Sequence, residues 1–208
     1  MVSASCIGEN EMLTMEIVYD KFPESSREWD NLGKMVCFHK RYNLGDKHAF
    51  RTEDYNSWEE IEEAIFTQVK DDGDEVIVCL PLSVYDHGGI TIFVGEPTCM
   101  WDSGNVGFIY ATRKDILTWF KKKRLTKEVK DLAEKELRSE VKAYDQYLRG
   151  EVYGYQIKSE NGDILDAVFG FYGYDTAEAD GKEALKHLEE EQAKLPENRQ
   201  LIFEGVVT

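Results

Sequence analysis

Val76–Val84 reads VIVCLPLSV, the most apolar run in the chain, and it stands between Asp71-Asp72-Gly73-Asp74 and the turn-forming Tyr85–Gly89. Nine residues are too few to span a bilayer, and a β-branched run this short between turn signals is expected to be a buried strand. Pro81 inside it lacks an N–H, so a bulge or an exit from the ladder is expected there. A central strand needs partners on its edges and cover on its faces. The rest of the chain is therefore read for short strands that pair with it and amphipathic helices that pack on it.

Both are present. Met12–Tyr19, Lys34–His39, Ile90–Val94 and Val106–Thr112 are short and β-prone. Val152–Lys158 and Ile164–Phe171 flank Glu160-Asn161-Gly162, a hairpin signal. Ser57-Trp58-Glu59-Glu60 has the form of a capping box, with Ser57 as N-cap and Glu60 reaching back. Trp58, Ile61, Ile65 and Val69 then follow at helical spacing. Asp115–Lys123 reads as a short helix with Lys121–Arg124 at its C-terminal end, where cations complement the helix dipole. Thr126 caps a helix running to Arg149, with Val129, Leu132, Leu137, Val141, Tyr144 and Leu148 inward, Asp145 and Arg149 outward, and Gly150 as its stop. Asp175 and Glu178 form a cap-and-N3 pair for a last helix ending before Pro196, and Leu201–Val207 reads as a returning edge strand. Hairpin-length connections dominate this order. The expectation is α+β: residues 1–11 loosely ordered, then residues 12–208 as a single domain with a largely antiparallel sheet packed by about four helices.

Charge is polarised along the chain. Residues 1–100 hold 20 acidic and 8 basic side chains, and residues 101–208 hold 21 and 17. Between Glu53 and Glu75 ten carboxylates face a single basic residue, Lys70. Such a surface repels nucleic acid and anionic membrane and draws in basic partners. Assigning Glu60 to the cap and Asp71, Asp72 and Asp74 to a turn leaves Glu59, Glu62 and Glu63 as the outward set. The only basic patch that would let the chain touch nucleic acid directly is Lys121, Lys122, Lys123 and Arg124 with the lysines just beyond. Four scattered cysteines, with no C-x-x-C pair and no signal-peptide pattern ahead of them, point to a reduced, cytoplasmic protein.

Other candidate chemistry is weighed against plain structural roles. Trp101-Asp102-Ser103-Gly104 and Trp29-Asp30-Asn31-Leu32-Gly33 each lead into a strand. The bland reading is a turn in which Asp accepts backbone N–H groups and Trp anchors the loop, and the functional one is a Trp-Asp anchor for a partner's arginine. Asp86, His87 and Asp102 could supply a base and its orienting carboxylates for a hydrolase, against a simple hairpin corner. Cys37, His39, Cys79, His87 and Cys99 include zinc-ligand types without paired spacing, so no metal is expected. No Gly-rich phosphate loop is present, and no cofactor is expected.

The strings REWDNLGKMVCFHKRYNLGD (27–46), WDSGNVGFIY (101–110), YDQYLRGEVYGY (144–155) and GFYG (170–173) resemble a family of proteins carried by phages and mobile elements of low-GC Gram-positive bacteria. That likeness covers about residues 12–175 and brings no established catalytic residues to carry over. It implies a setting in which small acidic proteins counter host defence by occupying the nucleic-acid-binding surfaces of CRISPR or restriction nucleases. The expectation is a non-enzymatic acidic inhibitor acting in the host bacterial cell. Its partner is a basic nucleic-acid-binding protein of the host, met by Glu59, Glu60, Glu62, Glu63, Asp71, Asp72, Asp74, Trp101 and Asp102. The alternatives are a nuclease using Asp86, His87 and Asp102, or an accessory phage protein without catalysis.

Overall fold

A computed structural model describes residues 12–86, 88–97 and 103–194. Among the described residues seven strands form two antiparallel sheets, and four α-helices accompany them, an α+β fold. The chain divides into two compact units, one made of residues 24–150 and the other of the two terminal stretches. The expected antiparallel pairing is thus distributed over two sheets.

In the larger unit the sheet runs β2 (Lys34–Cys37), β5 (Ser103–Thr112), β3 (Val76–Asp86), β4 (Ile90–Val94), so the apolar run is an interior strand. Both faces are covered. Leu80, Leu82, Val84 and Ile109 on one side pack with Leu137, Val141 and Tyr144 of α3 (Lys127–Leu148). On the other, Val36, Phe108 and Tyr110 pack with Ile61, Ile65 and Val69 of α1 (Trp58–Asp71). The Pro81 carbonyl accepts from Gly95 N–H, so its backbone polar groups face β4 where that ladder begins at Leu82, and pairing with β5 loses no donor. A register shift follows at Leu82/Ser83. Gly107, at φ +155°, lets β5 approach β2 closely: a Cβ there would lie 1.9 Å from the Val36 carbonyl oxygen.

Local signals account for most boundaries, with corrections. Ser57 Oγ accepts from Glu60 N–H at 3.3 Å, but Glu60 reaches back to Asn56 N–H at 2.7 Å, one residue earlier than a capping box requires. α2 spans Arg113–Trp119, because Thr112 Oγ1 already caps it by accepting from Asp115 N–H. Lys121 then turns left-handed, at φ +52°, so Lys121–Arg124 lies past the helix. Thr126 caps α3 as expected, but the buried stripe runs through Ala133, leaving Leu132 47% exposed. Asp145 is not outward: its Oδ1 accepts from Ile92 N–H at 2.9 Å, satisfying a donor of β4. Its pairing with Arg149 is present at 3.6 Å.

The smaller unit has the sheet order β1 (Thr14–Tyr19), β6 (Val152–Lys158), β7 (Ile164–Tyr172), with α4 (Tyr174–Lys194) packed on it at Ala177 and Gly181. Gly181 fits because Met15 Sδ and the Tyr155 ring stand where a side chain would go. Gly162 turns the β6–β7 hairpin. The last helix begins at Tyr174, directly after Gly173 (φ +92°), so Asp175 is not its N-cap and instead sits in the first turn at the positive end of the dipole. Leu201–Val207 and residues 1–11 lie outside the described residues.

Candidate functional site

The acidic segment is built on α1 and the 3-10 turn before it, Thr52–Asp54. Its buried stripe of Ile61, Ile65 and Val69 turns Glu59 and Glu63 outward, beside half-exposed Phe66. A backbone N–H first, and the Ser57 hydroxyl second, hold Glu59 below the usual carboxylate range. Glu53, Asp54, Asp71 and Asp72 are exposed too. The remaining predicted contacts have other duties. Glu60 is tied to Asn56, Glu62 faces the Cys79 thiol, and Asp74 accepts from Glu75 N–H and Lys114 N–H. Burial, then the Glu62 carboxylate, pushes Cys79 up to about 12. Trp101 and Asp102 lie outside the described residues. The related Trp29 is 46% exposed, so its ring is not buried as a core anchor, and Asn31, not Asp30, bonds the turn's carbonyls at Ser26 and Trp29.

Asp86 ends β3, and its Oδ2 meets Arg41 Nη2 and lies 3.6 Å from His39 Nε2. The carboxylate of the candidate hydrolase set is thus engaged by a cation from the β2–α1 loop. His87 and Asp102 fall outside the described residues. Among the described residues no group of three or more His, Cys, Asp and Glu is placed to hold a metal ion. Buried Cys37 has its thiol pushed up to about 12, by burial first and the Asp46 charge second.

The same loop walls a cavity of about 850 Å³. Phe38, Tyr42, His48 and Trp58 supply aromatic surface, with Lys40 and Lys47 among the polar lining. Phe38 meets His48 edge-on at 4.9 Å and Trp58 at 6.1 Å. The loop is held from beneath. Arg27 donates to both oxygens of Asp46 at 2.9 and 2.7 Å, to Glu140 at 2.9 Å and to the Gly33 carbonyl. Glu140 also accepts from Leu32 and Gly33 N–H, Asp46 accepts from Met35 N–H, and Tyr144 Oη accepts from Gly45 N–H. Burial pushes Glu140 above the ordinary range, while Arg27 and the backbone donors pull the other way and favour the carboxylate. Burial alone would lower Arg27; its bonds and charge attraction to Asp46 and Glu140 outweigh that and raise it.

No sequence motif marks this cavity. A signal was available: His39, Lys40, Arg41, Lys47 and His48 crowd ten residues of the acidic half. No protein-family profile, curated protein or solved structure matches the chain. No described helix is long and apolar enough to cross a membrane.

Proposed function

We propose that this chain is a non-enzymatic binding protein of a phage or mobile element. It offers the outward carboxylates of α1 and its approach to a basic nucleic-acid-binding surface of a host defence effector, such as a CRISPR or restriction nuclease. The observation that carries the reading is that Glu53, Asp54, Glu59 and Glu63 stand exposed with no ion pair among the described residues, whereas Glu75, Asp86 and Glu134 are each taken by an arginine. Unpaired, solvated carboxylates keep their field for a partner and act mainly by steering encounter. The setting and the class of target rest on the sequence resemblance.

The test uses the full chain against purified candidate nucleases at low and high salt. Joint change of Glu53→Gln, Asp54→Asn, Glu59→Gln and Glu63→Gln is expected to slow association tenfold or more while thermal unfolding changes little. Inhibition that survives the quadruple change at full strength removes the reading. The nuclease alternative has one observation on its side, the juxtaposition of Asp86 with His39. Nucleic-acid hydrolysis abolished by Asp86→Asn or His87→Ala would favour it.

A further inference from the structure

We infer that the cavity between the 38–57 loop and the start of α1 binds a small anion carrying a planar ring, of the class of a nucleoside 5′-monophosphate. Three observations converge. First, its volume of about 850 Å³ lies within the range of small-molecule sites and well above what a trapped water needs. Second, its aromatic wall of Phe38, His48 and Trp58 is only part-buried, with Tyr42 46% exposed on the lining. Part-exposed rings in a concave wall give surface on which a planar base can stack.

Third, the local charge runs against the rest of the protein. The chain carries a formal −16, yet Lys40 and Lys47 line this cavity and neither has an ion pair among the described residues. The carboxylates at hand are already engaged: Asp46 by Arg27, Asp86 by Arg41. Glu53 and Asp54 follow Thr52 in the chain but are not part of the lining. A cavity with two uncommitted ammonium groups attracts an anion, and the acidic surroundings select against long polyanions that would overrun its rim.

His48 adds a polar detail. Its Nε2 lies 2.9 Å from the Cys37 carbonyl, which can only accept, so Nε2 carries the proton and Nδ1 is an acceptor in the neutral ring. Nδ1 is buried with no hydrogen-bond partner among the described residues. A buried acceptor left unpaired is costly, and a donor brought to it by a small shift of the loop would relieve that cost. Ring surface and uncommitted cations together describe a nucleotide better than a bare phosphate or an apolar ligand.

Isothermal titration of the full chain separates the parts, with adenosine 5′-monophosphate, uridine 5′-monophosphate, adenosine and inorganic phosphate as probes. At least one nucleotide should bind saturably and more tightly than either adenosine or phosphate alone. Lys40→Gln with Lys47→Gln should weaken it about tenfold or more, through loss of charge-assisted contacts, with unchanged thermal unfolding and little effect on adenosine. Trp58→Leu should weaken nucleotide and adenosine alike. Its unfolding midpoint reports any loss from the contact with Phe108, and the lysine pair keeps the proposal testable if that variant does not fold. No saturable binding of either nucleotide at millimolar concentration overturns the inference, as does phosphate binding as well as nucleotide, or a lysine pair without effect.

Discussion

Two sets of carboxylates in the larger unit share a chemistry and differ in everything else. Glu140 and Asp46 grip one arginine whose side chain is 5% exposed, and between them they also accept from the backbone of Leu32, Gly33 and Met35. Glu59 and Glu63 project from α1 into solvent with no ion pair among the described residues. Buried charge is tolerated only when its hydrogen bonds are complete, so the first set is bound to the fold and removal of a member leaves the others stranded. The exposed set contributes little to the fold beyond the bonds of Glu59 to the first turn of α1. The difference teaches where to look for each role: acidity that matters for stability is paired, and acidity that is free for a partner is not.

Mutations can break that contrast, beginning where the expected effect is largest. Glu140→Ala should cost about 3–5 kcal/mol in urea unfolding, because Arg27 and two backbone N–H groups lose their acceptor. A loss below 1 kcal/mol would place the buried set with the exposed one. Alkaline titration sharpens the contrast next, since Cys37 lies near Asp46 and Cys79 near Glu62, one thiol beside each acidic region. Both keep their protons to about pH 12 when folded, against an ordinary value of 9.0. Between those values the unfolded chain binds fewer protons, so stability should fall as pH rises, by about 1.4 kcal/mol per unit for each thiol. Unfolding midpoints that stay flat from pH 9 to 11 would contradict the burial of both.

Smaller still is Ser57→Ala, which removes the cap of the helix that carries the exposed set and should cost about 1 kcal/mol in the same assay. Glu59→Gln with Glu63→Gln stands at the end of the series, with at most a small change in the thermal midpoint, since Glu59 loses only an exposed first-turn interaction. A clear loss of stability there would mean that these side chains have a structural duty.

Much of the fold was legible because its signals are local. Ser57, Thr126 and Gly150 announce helix ends within three or four residues of the groups they satisfy, and Asn161-Gly162 announces its hairpin. The errors have the same origin. Thr112 outcompeted Asp115 as the start of α2 because its hydroxyl sits where strand β5 ends, and Gly173 leads straight from β7 into α4. Of the candidate site, the acidic helix face was legible from periodicity, although Glu62 turned toward Cys79 and Asp74 toward the start of α2. The cavity was not, since its lysines and rings belong to a loop without periodicity, and its wall is shared with α1 and β5.

By itself the amino-acid order determined the element types, most of their caps and turns, the strand at Val76–Val84 and the excess of negative charge. Each follows from interactions spanning a few residues or from composition. Only the tertiary structure decided that the strands divide into two sheets, that Arg27 meets Glu140 across 113 positions, that Asp145 serves β4, and that Lys40 and Lys47 line one cavity with Phe38, Tyr42, His48 and Trp58. Those outcomes depend on which of many weak, long-range pairings together leave the fewest buried polar groups unpaired and the least apolar surface in water, a sum that no local pattern contains.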